Sequence, residues 1–564
     1  MKKIAIVALA AAATMITSCD IERQPYGYYT DDKIMADKEA AVDVLLNGSL
    51  SKLKTASEHL HYCGEFPSDN VCKDKPTTNP FGTYFTYLHT VNNGGLSTVW
   101  NSSYNIISQT SSLMEMIKEG ESVELDQKLG QAYYMRGMMY FYLCRVFGRP
   151  YYQSPETNLG VPIVNGMPAD LTNLNLPDRS TVKATYEQAV SDLTKAEKLM
   201  TTYKSASYIS KYAAQALLAK VYMYMSGTFE DPNKEYAKLS YDFADAVIKN
   251  GPFQMLGTDM FKRYYELAPD AAAQTETIFA VKYIASDVAD WGDPIGSMYA
   301  EIDGQGWGEV YASAKYMDLL HENGRGSDAR ESFIFPQYKT DADENKTRAF
   351  RFVTALYKDG KISSYVYRQG ETKTVGDKLV TTIESKDYTL TPADIKGERY
   401  SIEYEGHTYT GDFDYLMLES QGNPKFFSYK CSKQDGYPHL YSPIISRLGE
   451  MYLIRAEASA KLGDLPGALK DLNVVRERSI PGAGYKSLDN IAKAHELIMK
   501  ERQLEMAYEA DRGFDAYRVG DTMVRRYPGI HDGTIDYPAT SPFAIQYIPQ
   551  SEINAYPGTL TQNP

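Results

Sequence analysis

Apolar side chains recur at helical spacing in blocks along the chain, and turn residues separate the blocks. Residues 129–147 place apolar and aromatic side chains on every turn and stop at Gly148-Arg149-Pro150, a glycine and a proline that end a helix. That pattern predicts a buried helix. Asp178-Arg179-Ser180-Thr181 supplies a capping residue ahead of Val182, Tyr186, Ala189, Val190, Leu193, Ala196 and Leu199, an i, i+3, i+4, i+7 stripe. A second pair of helices is predicted over 210–225 and 236–248. Near the C-terminus, 450–462 runs into Gly463-Asp464 and then Ala468, Leu469, Leu472, Val475 and Arg478. Ala456, Ala460 and Ala468 stand where these two helices would cross, and small side chains let the backbones approach.

Two helices of this length joined by a Gly-Asp turn form a tetratricopeptide-like hairpin. The pairs do not keep a fixed period of about 34 residues, so the pattern predicts a degenerate array rather than a regular solenoid. Between about 255 and 440 the helical stripes fade, Gly, Asp, Tyr and Thr become more frequent, and short alternating runs such as Tyr400-Ser401-Ile402-Glu403-Tyr404 predict small strands. The predicted fold is therefore mainly α, a degenerate helical-hairpin scaffold with a loop-rich, partly β insertion. Loops on a rigid scaffold are where recognition resides, so this insertion and the loop around 60–90 are the expected ligand face.

Composition narrows the function. Hydrophobic residues make up 43% and charged residues 23%, the balance of a globular protein rather than of a disordered or membrane-spanning one. A formal charge of −14, without a concentrated basic patch, repels phosphate backbones and argues against nucleic acid as a partner. Met1-Lys2-Lys3 followed by a largely apolar run over 4–16 has the form of a secretory signal, over 1–18, and is too short to span a bilayer. Ile16-Thr17-Ser18-Cys19 resembles the bacterial lipobox, which implies lipidation of Cys19. At about 0.8 kcal/mol per buried methylene, several acyl chains anchor a chain almost irreversibly. Residues 19–38 are polar and read as a tether. Cys63 and Cys72 flank a loop containing Gly, Pro and Asp and are candidates for a disulfide, whereas Cys144 lies in an apolar run and reads as core.

Five segments in order resemble the SusD/RagB family of surface lipoproteins. They are Leu-Gly-Gln-Ala-Tyr-Tyr-Met-Arg-Gly-Met-Met-Tyr-Phe-Tyr-Leu-Cys-Arg-Val-Phe-Gly-Arg-Pro at 129–150, Arg-Ser-Thr-Val-Lys-Ala-Thr-Tyr-Glu-Gln-Ala-Val-Ser-Asp-Leu at 179–193, and Ile-Ile-Ser-Arg-Leu-Gly-Glu-Met-Tyr-Leu-Ile-Arg-Ala-Glu-Ala at 444–458. Glu-Arg-Gln-Leu-Glu-Met-Ala-Tyr-Glu-Ala-Asp-Arg-Gly-Phe-Asp-Ala-Tyr-Arg-Val-Gly at 501–520 and the ending Ile548-Pro549-Gln550-Ser551-Glu552-Ile553 with Gln562-Asn563-Pro564 complete the set. The resemblance implies an N-terminal helical region over 39–255, a ligand-binding region over 256–440 and a C-terminal helical region with its tail over 441–564. It also implies an outer-membrane lipoprotein facing the exterior that binds an oligosaccharide, without catalysis or cofactor, for a SusC-like TonB-dependent channel. Some relatives, RagB-like ones among them, resemble peptide binders instead.

Glu501, Glu505, Glu509, Arg512 and Asp515 stand one helical turn apart, as an acid/base pair would, but Arg502, Arg512 and Arg518 among them favour a salt-bridge network on the scaffold. A glycosidase needs two carboxylates across a cleft, and none is implied. His59, His61, Cys63 and Cys72 lack any metal-ligand spacing. Asp341-x-Asp343-x-Asn345 opens like a calcium loop but has Lys346 where the turn wants Gly and Phe352 where it wants Glu. Gly304-x-Gly306-x-Gly308 has Glu309 in place of the third glycine of a dinucleotide fingerprint. Aromatics remain: 47 Tyr, 19 Phe and 3 Trp. A sugar stacks its C–H face on a flat ring while polar side chains bond its hydroxyls. The candidate ligand residues are Trp291 and Trp307 in turn-rich loops, with Tyr283, Tyr299 and Asp303 as companions, and Asp69, Asn70, Tyr84 and Trp100 nearer the N-terminus.

Overall fold

The computed structural model describes residues 38–76, 81–164, 166, 174–288, 295–394 and 397–564. The residues expected to form a leader, and Cys19, lie outside these. After α1 (Lys38–Glu65), many of the helices begin where a short polar side chain takes a free amide of the first turn. Asn93, Ser122, Thr181, Ser210 and Asn233 accept from the amide three residues on and so cap α2 (Gly94–Met116), α3 (Val123–Phe147), α4 (Val182–Leu199), α5 (Lys211–Met225) and α6 (Lys234–Asn250). Ser313 does the same for α7 (Ala314–His321). After α8 (Leu448–Leu462), which Gly463 ends at φ 91°, Asp464 caps α9 (Leu465–Ser479) and Asn490 caps α10 (Ile491–Glu505); α11 (Arg512–Arg518) follows.

Helix α3 packs on α4, α5 on α6 and α8 on α9, and α6 on α8 joins the hairpins into one array. This is the predicted degenerate scaffold. Its C-terminal core brings Leu453, Ala456 and Ala460 of α8 against Ala468, Leu472 and Val475 of α9 and Leu497 and Ile498 of α10. Each such leucine or isoleucine contributes about 1.5–3 kcal/mol. Gly137 of α3 explains the close crossing with α4, because a Cβ there would stand 3.0 Å from the Ala189 carbonyl oxygen. Among the described residues no helix is long and apolar enough to cross a membrane.

The insertion is more ordered than its composition suggests. Short strands β1 (Val71–Lys73), β2 (Thr277–Ala280), β3 (Val310–Ala312) and β4 (Ile334–Pro336) precede six longer ones: β5 (Arg348–Lys358), β6 (Lys361–Val375), β7 (Lys378–Ile383), β8 (Lys386–Pro392), β9 (Arg399–Tyr404) and β10 (His407–Tyr415). These six close into an antiparallel barrel, β10 pairing back onto β5. Tyr415 faces Arg348 in that ladder, so the chain enters and leaves the barrel at one place. Phe350, Phe352, Ile383, Leu390, Ile402 and Tyr404 form its core. Beyond it, β11 (Phe426–Ser428) pairs with β4, β12 (Ile444–Arg447) with β2, and β1 with β3.

Buried charge joins the insertion to the scaffold. Arg447, at the end of β12, donates to Glu509 at 2.8 Å, to Glu505 at 2.6 Å and to Glu276 at 3.0 Å. Arg478 bonds Glu276 and Glu505, and Arg330 bonds Glu501 at 2.6 Å. Arg502 and Arg518 share Asp515, and Arg518 also bonds Glu457. The carboxylates that resembled an acid/base pair are thus enclosed ion-pair partners. Cys63 and Cys72 do not bridge as their spacing suggested: both are buried free thiols, Cys63 donating to the Tyr84 hydroxyl and Cys72 directed at the Ala312 carbonyl.

Candidate functional site

Two loops in contact each carry an exposed aromatic side chain of the insertion, Trp307 and Tyr437. In the first, Ile302 and Gln305 exchange backbone hydrogen bonds of 2.8 and 3.0 Å. The enclosed pair Asp303-Gly304 has φ of 54° and 74°, the left-handed conformation of a type I′ turn. Beyond it, the Trp307 amide donates to the Ser297 carbonyl at 2.8 Å, and the indole is presented with 54% of its surface exposed. Gly306 is required here. Its φ is 100°, and a Cβ would lie 2.3 Å from the Ala300 oxygen and 2.7 Å from His439 Nε2. The glycines that resembled a nucleotide fingerprint serve this backbone path. Gly306→Ala should therefore cost about 2 kcal/mol in a denaturant titration and weaken any ligand held by Trp307; an unchanged midpoint would contradict the close approach.

The second loop runs through Lys433, Gln434–Gly436 and Tyr437. Lys433 and Asp435 take φ of 67° and 52°, and Tyr437 is left 50% exposed. His439 joins the loops, its Nε2 standing 2.9 Å from the Gln305 carbonyl oxygen. Burial lowers the His439 pKa against that bond, and Lys433 lowers it further, which favours the neutral ring. Lys433 Nζ lies 3.9 Å from the Asp303 carboxylate and 6.0 Å over the ring of Tyr429. Tyr429 in turn stacks on Phe335 with centroids 3.8 Å apart. Rings flanked by a carboxylate and an ammonium offer an apolar face and charged hydrogen-bonding groups together, which suits a polyhydroxylated ring.

Of the residues expected from the sequence, the structure brings Asp303 and Trp307 together here. Tyr283 lies one segment away, half-buried under Lys54 at 5.1 Å, with its amide donating to Ser442. Trp291 lies outside the described residues. The remaining five are internal and offer a ligand almost no surface. Asp69 is enclosed by Arg512 at 2.7 and 2.9 Å, Lys315 at 2.6 Å and Gln503 at 3.1 Å. Burial alone would raise its pKa, yet Arg512 and Lys315 hold it well below the usual carboxylate range. Asn70 bonds Glu65 and Gln503. Tyr84 receives the Cys63 thiol, Trp100 packs against Tyr104 and Phe147, and the Tyr299 hydroxyl meets His61 at 2.8 Å. The expectation that these five reach the ligand face does not match where they sit. Conversely, Lys433, Tyr429, Phe335 and Tyr437 were missed. The turn sequence Asp435-Gly436-Tyr437-Pro438 carries the same aromatic-in-a-turn signal that marked Trp307.

A family model described as "SusD family" matches residues 275–564, and one described as "Starch-binding associating with outer membrane" matches 29–223. SusD-like protein P2 of Formosa agariphila is 24% identical over 92% of this chain and 91% of its own length. A SusD superfamily protein of Bacteroides thetaiotaomicron superposes with a TM-score of 0.68 at 24% identity, covering 93% of this chain and 99% of that one. A structure solved with a xylogluco-oligosaccharide gives a TM-score of 0.53 at 16% identity, covering 84% of this chain and 82% of that one. The first family model alone spans just over half of the sequence, through the network at Arg447 and the loops at Trp307 and Tyr437, and the chain therefore belongs to the SusD family.

Proposed function

We propose that this protein captures an oligosaccharide at the outer surface of the cell, leaves it chemically intact, and passes it to a SusC-like TonB-dependent channel. The observation that carries the reading is the pair of contacting loops that expose Trp307 and Tyr437 beside Asp303 and Lys433. An indole and a phenol ring stack on the C–H faces of sugars, and the two charged groups accept from or donate to hydroxyls. Membership of a family with an oligosaccharide-bound structural neighbour supports the ligand class, and the second model's description supports association with the outer membrane. The lipobox at Cys19 supplies the anchor in this reading. Burial of Glu501, Glu505 and Glu509 in arginine pairs favours capture over hydrolysis, since each carboxylate is already engaged.

Calorimetric titration of the lipid-free chain against a panel of plant and host glycans, with a peptide mixture alongside, tests this. One glycan class should bind without release of reducing ends. The double substitution Trp307→Ala with Tyr437→Ala should weaken that binding about tenfold or more. Affinity unchanged by the double substitution would remove the site, and binding of peptides with silence toward every glycan would remove the ligand class.

A further inference from the structure

A groove separate from the Trp307 loops lies between the α9–α10 connection and the turn after α7. Its volume is about 570 Å³, within the roughly 300–1,000 Å³ of small-molecule sites. Tyr485 forms one wall and is held on several sides. Asn473 bonds both its backbone amide, at 2.8 Å, and its carbonyl, at 3.0 Å. Its hydroxyl donates to buried Glu501 at 3.0 Å, and the Arg476 guanidinium lies 4.7 Å over its ring. A half-buried ring fixed in this way is preorganised, and a ligand stacking on it orders little that is free.

The charge of the groove runs against that of the chain. Lys486, Lys493 and Lys500 line it against Glu322 and Glu496, in a protein of net charge −14, while Arg476 behind Tyr485 is buried and paired with Glu501 at 3.4 Å. Lys493 meets Glu496 at 2.7 Å one helical turn along, and Lys500 meets Glu322 at 2.6 Å. Solvent-facing pairs of this kind are weak, so their ammonium groups remain available to a stronger anion. Lys486 stands exposed on the rim.

We infer that this groove is a second binding site and that it takes an anionic saccharide unit, its sugar face on Tyr485 and its carboxylate or sulfate between Lys486 and Lys493. That the ligand is a saccharide rests on the capture reading above; the requirement for an anion rests on the groove alone. Charge-assisted hydrogen bonds to an anion are about twice as strong as neutral ones, which lets this site select acidic units from a mixed glycan.

The test titrates the lipid-free chain with tetragalacturonate, its carboxyl-reduced neutral counterpart and a sulfated tetrasaccharide. At least one of the two anionic probes should bind and the neutral form should bind at least about tenfold more weakly. Lys486→Ala with Lys493→Ala should reduce the anionic affinity by about tenfold or more and leave the melting temperature unchanged. High salt should abolish it. Trp307→Ala should leave this binding untouched, so anionic binding that survives while every neutral glycan fails would sink the Trp307 reading and keep this one. Absence of binding by both anionic probes, or binding that ignores the two lysine substitutions, would overturn the inference.

Discussion

Arg447→Met should lower the unfolding free energy by about 3–5 kcal/mol, the loss observed when one member of a buried ion network is removed. The reason is what remains. Arg447 touches Glu276, Glu505 and Glu509, and among the described residues no other cation pairs with all three. Without it, Arg478 must serve Glu276 and Glu505 while Lys430, 2.6 Å away, serves Glu509. One buried negative charge is left uncompensated, in a place from which water is excluded. In the natural chain burial alone would raise the pKa of Glu505, but Arg478, Arg447 and Arg330 hold it far below its ordinary value, so removing Arg447 takes away one of the charges that keep it ionised. The double substitution Arg447→Met with Glu509→Gln removes a charge of each sign and should recover part of the loss. Chemical denaturation of the two single variants and the double variant gives the coupling directly. A loss under about 1 kcal/mol for Arg447→Met, or a double variant no better than the sum of its parts, would mean that the network contributes little to joining the insertion to the scaffold.

The scaffold was legible because its information is local. Thr181 before the stripe from Val182 to Leu199 and Asp464 after Gly463 are caps and turns that work within a few residues, and they appear where the sequence placed them. Barrel closure is not local, since it depends on β10 finding β5 across the whole insertion. Its turns were still written in the sequence: Asp359-Gly360, Gly376-Asp377 and Glu405-Gly406 each join paired strands through two residues, the shortest hairpin connection. Glu384-Ser385 makes the same kind of turn with φ of 49° and 66° but without a glycine, and the strands carry so many Lys, Thr and Glu that the runs resemble loops. The site divides in the same way. Trp307 stood out as a candidate because glycines surround it, and the structure exposes it in that loop. Asp69 resembled a ligand residue because its partners, Arg512 and Gln503, lie 443 and 434 positions away and no local pattern announces them.

His321 should contribute roughly 3 kcal/mol of stability that is lost between about pH 6.5 and pH 9. His321 closes α7, where it is buried against the barrel with Nδ1 3.1 Å from Asp412 of β10 and Nε2 3.3 Å from Glu331. Burial opposes its charge, but these two carboxylates outweigh burial and raise its pKa from 6.5 to about 9. The folded state therefore holds a proton that the unfolded chain releases earlier. The stabilisation is complete below the unfolded value of 6.5, declines as pH rises, and is gone once pH passes the folded value of about 9. Arg399 bonds Asp318 at 2.6 Å and approaches Asp412 at 3.3 Å, and Arg325 bonds Asp414 at 2.9 Å. These ion pairs also tie α7 and the turn after it to the barrel. Lys461, lowered from 10.5 to about 8 by burial against the pull of Glu457, contributes with the opposite sign between about pH 8 and 10.5, and a total pH profile would mix the two where the windows overlap. The comparison that isolates His321 is the denaturation midpoint of the natural chain and of His321→Gln at both ends of the window. The difference between them should be large at the acid end and vanish at the alkaline end. A difference that is constant with pH would show that the histidine packs at the barrel interface without carrying the charge that its two carboxylates require.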